Sequence, residues 1–271
     1  MEAITLLLDP PTPLSPGAFV DALQAYATSS RAANHPLLLA LAAGDAVDLQ
    51  GSIRAFLREY YVYSRSFTRH LSAVSATLED PSHRGALVPN AAEESGAVDE
   101  GRSDVLAAAG LREEDVNASH PELFGRFLGA IGIERTGLAS AEPSIATVAW
   151  IETFHAACRE DQEQAVGALG IATEGIIRGM YGHLLLAIRR AWPALTARDT
   201  AFFALHAAVD DDHAAVLRGI AVDLAVTAAA RRRMAIGVVK ALQARASFFD
   251  QMFTMVRSVD VAYSQGRSEA A

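Results

Sequence analysis

Lysine is nearly absent: Lys240 is the only one among 271 residues, so almost all of the positive charge is arginine. That excludes Schiff-base chemistry unless Lys240 lines a pocket. Cysteine is as scarce, because Cys158 stands alone and no intramolecular disulfide can form, which points to a reducing, cytoplasmic setting. Positive charge is outweighed too, with a formal net charge of −9. Nucleic acids and anionic membrane surfaces both call for concentrated positive charge, so neither is an expected partner. No apolar run reaches the roughly 18 residues of a spanning helix. The opening Met1-Glu2-Ala3-Ile4 has no basic segment and does not read as a signal peptide. Aromatic residues make up only 7%, and no stretch alternates with a strand period, which disfavours a β-sandwich.

What remains is material for helices. Hydrophobic residues reach 51%, led by Ala and Leu, and the length suits one large domain over residues 1–271. Ser15 followed by Pro16 predicts a helix start, and the pattern predicts helices over 16–30, 46–78, 142–168, 171–191, 197–217 and 221–262, with a polar tail over 263–271. Asn34-His35-Pro36-Leu37 opens a shorter helix ending near Gly44. Phe56, Tyr60, Tyr63 and Phe67 recur at steps of four, three and four, the spacing of a core stripe. Residues 79–119 are the least regular part, broken by Pro81, Pro89, Gly96 and Gly101, and their acidic clusters, Glu113-Glu114-Asp115 among them, read as a solvated insertion. After it, Ser119-His120-Pro121 opens a new helix.

The chemistry concentrates in His206-Ala-Ala-Val-Asp210-Asp211-Asp212-His213. At about 100° per residue, His206, Asp210 and His213 fall within roughly 60° on one helix face. Two imidazoles and a carboxylate there suit a divalent first-row metal such as iron, manganese or zinc; the plainer reading is an acidic turn with two incidental histidines. Elsewhere the chain offers Glu94, His120 and Glu174 on separate segments. Together the six make three carboxylates and three imidazoles, a set suited to two ions bridged by carboxylate. Glu152-x-x-His155 has the spacing of a bundle metal motif, but such sites use it twice and one copy is present. His35 and His70 read as structural or surface residues.

In these motifs the chain resembles the heme-oxygenase-like diiron oxidases and oxygenases, relatives of the PqqC and TenA folds. The resemblance rests on Asn34-His35-Pro36-Leu37, Asn90-x-x-Glu93-Glu94-x-Gly96, His120-Pro-Glu-Leu-Phe124, Ala172-Thr-Glu174 with Tyr181 after it, and His206-x3-Asp210-x2-His213, in family order over residues 30 to 220. It implies an all-α, seven-helix heme-oxygenase-like bundle without heme. Glu94, His120, Glu174, His206, Asp210 and His213 would hold two Fe(II) ions, with O2 as co-substrate. Glu93 is the substitute for Glu94, since the gap to His120 is longer than in relatives, and Glu152 and His155 belong to the bundle wall. Some relatives order the helix of His206–His213 only on taking up metal, and the adjacent Asp211-Asp212 would repel and fray in the same way until a cation neutralises them.

The activity so implied is oxidation of a small amino acid or amine in natural-product biosynthesis, by N-oxygenation, desaturation, cleavage or cyclisation. An external electron donor and a homodimer go with it. Arg178, one turn beyond Glu174, is the expected anchor for a substrate carboxylate, beside Tyr181. The alternatives are a fatty-acid oxidative decarboxylase of the same family and a cofactor-independent PqqC- or TenA-like enzyme. TenA-like hydrolysis uses a nucleophilic cysteine, and Cys158 sits in no matching motif.

Overall fold

A computed structural model describes residues 4, 7–8, 13–97, 103–134, 138, 142–209 and 211–269, with side chains at all of these except 103, 208–209, 211–212 and 259–269. Among the described residues there is no strand, and the chain forms fifteen α-helical segments and one π-helix. Starts are set by local capping. Ser15 Oγ accepts from Ala18 N at 3.2 Å ahead of Pro16–Thr28, and His35 Nδ1 accepts from Leu37 N at 3.1 Å ahead of Pro36–Ala43, so His35 is a buried cap. Asp48, Ser144 and Asp161 cap Leu49–Ser64, Ile145–Ala157 and Gln162–Val166 in the same way.

The chain is divided more finely than its periodicity predicts. The helix expected over 46–78 breaks at Arg65 and Ser66 into Leu49–Ser64 and Phe67–Thr77, and that over 142–168 becomes Ile145–Ala157 and Gln162–Val166. Hydrophobic spacing carries across such breaks because both halves pack on one core. The last helix, Ala228–Glu269, begins later than expected and its backbone continues through most of the expected polar tail.

The described residues of 79–119 hold four short helices, Pro81–Ala86, Val88–Glu94, Ser103–Ala108 and Glu113–Val116. They bury Leu87, Leu106, Leu111 and Val116, so the segment is packed against the core. Asp115, read as solvated, is 2% exposed because its carboxylate accepts the Arg112 backbone N–H at 3.0 Å; Glu113 and Glu114 stay exposed.

The core is aromatic where the long helices cross. Trp150 stacks on Tyr63 at 4.1 Å and on Phe248 at 4.5 Å, while Phe124 stacks on Phe202 at 4.6 Å. Each such side chain contributes about 1.5–3 kcal/mol by its burial. Two glycines let the last helix press against the segment leading to Glu174: a Cβ at Gly167 would lie 2.3 Å from Met234 O, and one at Gly237 2.1 Å from Gln164 O. Among the described residues no helix is long and apolar enough to cross a membrane.

Candidate metal centre

Five described segments deliver the site. Glu94 is the last residue of helix Val88–Glu94, and His120 the first of His120–Ala130. Between them in sequence lie the Ser103–Ala108 and Glu113–Val116 helices, yet Gly96 brings the two ends together. Its φ is +102°, and a Cβ there would lie 2.8 Å from the Ser119 backbone nitrogen, so only glycine permits this turn and this approach. Glu122 closes the junction from the other side, its carboxylate accepting the Ser119 N–H at 3.0 Å.

Glu174 ends the π-helix Gly167–Glu174, a wider winding that turns its side chain inward where an α-helix would carry it round. Gln24 stabilises the exit of this segment, its Nε2 donating to Gly175 O at 2.9 Å. His206 lies on Ala201–Val209 and His213 on Asp211–Leu224.

Donor atoms of Glu94, His120 and His206 lie within 4.8 Å of one another, and so do those of Glu94, Glu174 and His213. All five residues are buried. Glu94 is common to both groups, the position of a bridging carboxylate. Five of the six residues singled out in the sequence are thereby brought together. Asp210 lies outside the described residues.

The hydrogen bonding of the imidazoles fits donors aimed inward. Both nitrogens of His120 are buried without a hydrogen-bond partner, although Nδ1 is 2.8 Å from Glu94 Oε2. The contact is short but not aligned as a hydrogen bond, as expected of two donors converging on one point. Leaving a buried polar group unsatisfied costs about 1–3 kcal/mol, a deficit that a cation at the shared centre would remove. His206 Nδ1 donates to Phe202 O at 2.6 Å, which leaves the Nε2 lone pair for a metal. His213 Nε2 meets Glu93 Oε2 at 2.9 Å, so Nδ1 is its available nitrogen. Of the two adjacent glutamates, Glu94 joins both donor groups and Glu93 holds His213 from behind.

Titration behaviour diverges across the cluster. Burial pushes the Glu94 carboxyl up, but the attraction of His120, His206 and His213 outweighs it and holds Glu94 below the usual range. Glu174 is pushed up to about 7 by burial, an effect that His213 opposes and the Glu94 charge reinforces. Burial, then repulsion from His120, lowers His206 to about 3 and keeps it neutral. His120 and His213 are raised, because neighbouring carboxylates overcome the cost of burial. Groups of one kind driven in opposite directions within one cavity are characteristic of a functional site.

Tyr63, Ser64, Phe67, Ile177, Tyr181 and Phe202 join the donors around a small cavity of about 20 Å³, room for little more than one water. The stripe expected to be core thus does two things: Phe56 and Tyr60 are fully buried, while Tyr63 and Phe67 face the cavity. Tyr181 lines it too, its ring 5.1 Å from that of His206. Arg178 does not: it is exposed and absent from the lining, because the face of Gly175–Ala191 that meets the core carries Ile177, Tyr181 and Leu184 instead.

Glu152 is exposed and His155 meets His70 Nδ1 to Nδ1 at 3.1 Å, so both stand apart from the donor groups. Lys240 donates to Gln164 Oε1 at 3.1 Å and lines a separate pocket beside Trp150 and Phe248, away from the donor cavity. Cys158 is buried, and burial pushes its thiol up, unlike a nucleophile.

Residues 54–246 match the family of iron-containing redox enzymes. The chain belongs to that family. Its relatives include the 4-aminobenzoate synthase of Chlamydia muridarum, 24% identical over 72% of this chain and 74% of the relative, and that of Chlamydia trachomatis serovar D, 23% identical over 72% and 76%. Among solved structures it is similar to a CADD-like protein from Nostoc punctiforme, with a TM-score of 0.69 and 15% identity over 88% of this chain and 98% of that one. A TenA homologue from Pseudomonas syringae pv. tomato gives 0.66 and 12% over 87% and 91%. A heme-oxygenase-like domain from Shewanella denitrificans gives 0.63 and 16% over 88% and 90%. The fold of this family member is thus all-helical and heme-oxygenase-like.

Proposed function

We propose that the protein is a non-heme diiron oxidase or oxygenase that uses O2 to oxidise a small amino acid or amine. The observation that carries this reading is the pair of buried three-residue donor groups sharing Glu94. Imidazole and carboxylate donors suit iron, and one shared carboxylate suits two ions held side by side. A bound diiron pair supplies the reaction with O2 and the electrons for its reduction.

The chain's own residues set the conditions. Glu94, His120 and His206 would hold one ion, and Glu94, Glu174 and His213 the other, with Asp210 as the sixth ligand. His206 offers a neutral nitrogen oriented by the Phe202 carbonyl, and Glu93 fixes the ring of His213. Phe67, Ile177 and Phe202 line the cavity with apolar surface that limits water around a reactive centre. Tyr63 and Tyr181 add aromatic surface to the wall, their hydroxyls meeting Arg245 Nη2 at 3.4 Å and Tyr60 OH at 3.1 Å. The relatives' name, 4-aminobenzoate synthase, supports an aromatic or aliphatic amine bearing a carboxylate as the substrate class. An external electron donor completes the scheme, in a cytoplasmic enzyme acting on a small molecule as a homodimer.

Anaerobic titration with Fe(II) followed by a pulse of O2 tests the reading. Uptake of two irons per chain and a transient visible absorption after the pulse are expected; no iron uptake would sink it.

A further inference from the structure

A guanidinium shut inside the core stands behind Glu174. Arg245, on the last helix, is 1% exposed, and its charge lies over two aromatic faces, 5.6 Å from the Trp150 ring and 5.9 Å from that of Tyr63. Among the described residues its hydrogen-bond partners are neutral: Nη2 donates to Thr173 Oγ1 at 3.0 Å and to Tyr63 OH at 3.4 Å, and Nη1 approaches Met180 Sδ at 4.0 Å. Burying a cation on neutral partners is costly, so the position calls for a role beyond packing.

Thr173 gives that role a direction. Its hydroxyl accepts from Arg245 and donates to Ala168 O at 3.1 Å, five residues back along the π-helix. Glu174 is the next residue. The wide winding that turns Glu174 toward Glu94 and His213 is therefore tied, through one hydroxyl, to an arginine on a different helix.

We propose that Arg245 is a positioning residue that holds the π-helical register of residues 167–174 through Thr173 and so aims Glu174 at the shared centre. The inference rests on the metal-site reading for its effect on binding, but its effect on the backbone does not.

The test uses the full chain with Arg245→Met, Thr173→Val and Thr173→Ser. In the metal-free protein, hydrogen exchange of the amides over 168–176 should speed up at least tenfold in Arg245→Met and Thr173→Val, while Thr173→Ser, which keeps the hydroxyl, stays near wild type. In Mn(II) titrations followed by electron paramagnetic resonance, the same two variants should weaken one of the two sites by about tenfold, as loss of an outer-shell partner does, and spare the other. The double variant should be no worse than either single one. Unchanged exchange over 168–176 would overturn the brace whether or not metal binds. Equal weakening of both sites, or failure of Thr173→Ser to restore exchange, would overturn it in favour of a packing role. Wild type binding no Mn(II) while exchange responds as expected would keep the brace and sink the metal reading. Should Arg245→Met not fold, the isosteric Thr173→Val decides alone.

Discussion

Replacing Glu94 by alanine should affect metal binding differently from replacing any other donor, because Glu94 alone belongs to both groups. His120→Ala or His206→Ala removes a donor from one group, and Glu174→Ala or His213→Ala from the other. Loss of an outer-shell partner costs about 10–100-fold in metal affinity, so loss of a direct donor should cost at least about 100-fold. With free metal at about 100 times the wild-type Kd, each intact site adds about 2.7 kcal/mol of stability, and a site weakened 100-fold adds only about 0.4 kcal/mol. At about 2–4 °C per kcal/mol for a chain of this size, metal should raise the wild-type Tm by about 10–20 °C. The four single-group variants should show about 6–12 °C, and Glu94→Ala about 2–3 °C. Thermal unfolding with and without Mn(II), or Fe(II) without oxygen, reads the shift, and equilibrium dialysis reads the stoichiometry: two ions, one, and none held tightly. If Glu94→Ala kept one ion at wild-type affinity, the carboxylate would not be shared and the two-ion geometry would be wrong.

Other consequences are sharper for structure than for turnover. Gly96→Ala forces a Cβ onto a φ of +102° and to within 2.8 Å of Ser119 N. It should destabilise the fold by about 1–3 kcal/mol in urea unfolding and weaken both sites together; wild-type stability would show that the turn can relax. His70, which burial and the neighbouring His155 and Arg69 hold down to about 3, folds neutral. Its contribution is fully present above its ordinary value of 6.5 and is lost as the pH falls from there toward 3. The slope is about 1.4 kcal/mol per pH unit, so wild type should lose about 2 kcal/mol relative to His70→Phe between pH 6.5 and 5; parallel curves would refute the burial argument. Cys158 should resist thiol reagents in the native state at pH 8 and react fully in denaturant, and rapid native labelling would contradict its burial. Glu152→Gln with His155→Ala should keep both metals, and losing them would mean that the wrong carboxylate had been assigned.

What the chain disclosed before folding was side-chain chemistry with a fixed local spacing. His206 and His213 could be read from helical geometry, and Glu94 from the resemblance of Asn90-x-x-Glu93-Glu94-x-Gly96 to the family's motif. That glycine proves to be there for the sterics of a turn against Ser119. Arg178 misled for the same reason that the histidines were legible: it lies one helical turn from Glu174, but the inward face runs through Ile177 and Tyr181, three and seven residues on, and leaves Arg178 exposed at its edge.

The parts of the site that spacing could not show are those made by backbone or by distant segments. Phe202 acts through its carbonyl, which any residue would supply; Arg245 reaches Thr173 across 72 positions. Glu93 is the instructive intermediate. Its neighbour Glu94 and it are chemically identical in the sequence, and only the direction of the last turn of Val88–Glu94 separates a residue at the shared centre from one that grips His213 from outside. Side chains one residue apart on a helix point about 100° apart, so both glutamates cannot face the same cluster point. Once Gly96 fixes where that helix stops, one must face inward and the other must find a partner on the rim. Glu93→Gln, which keeps the acceptor but not the charge, should therefore weaken the His213 group by about 10-fold and leave the His120 group intact.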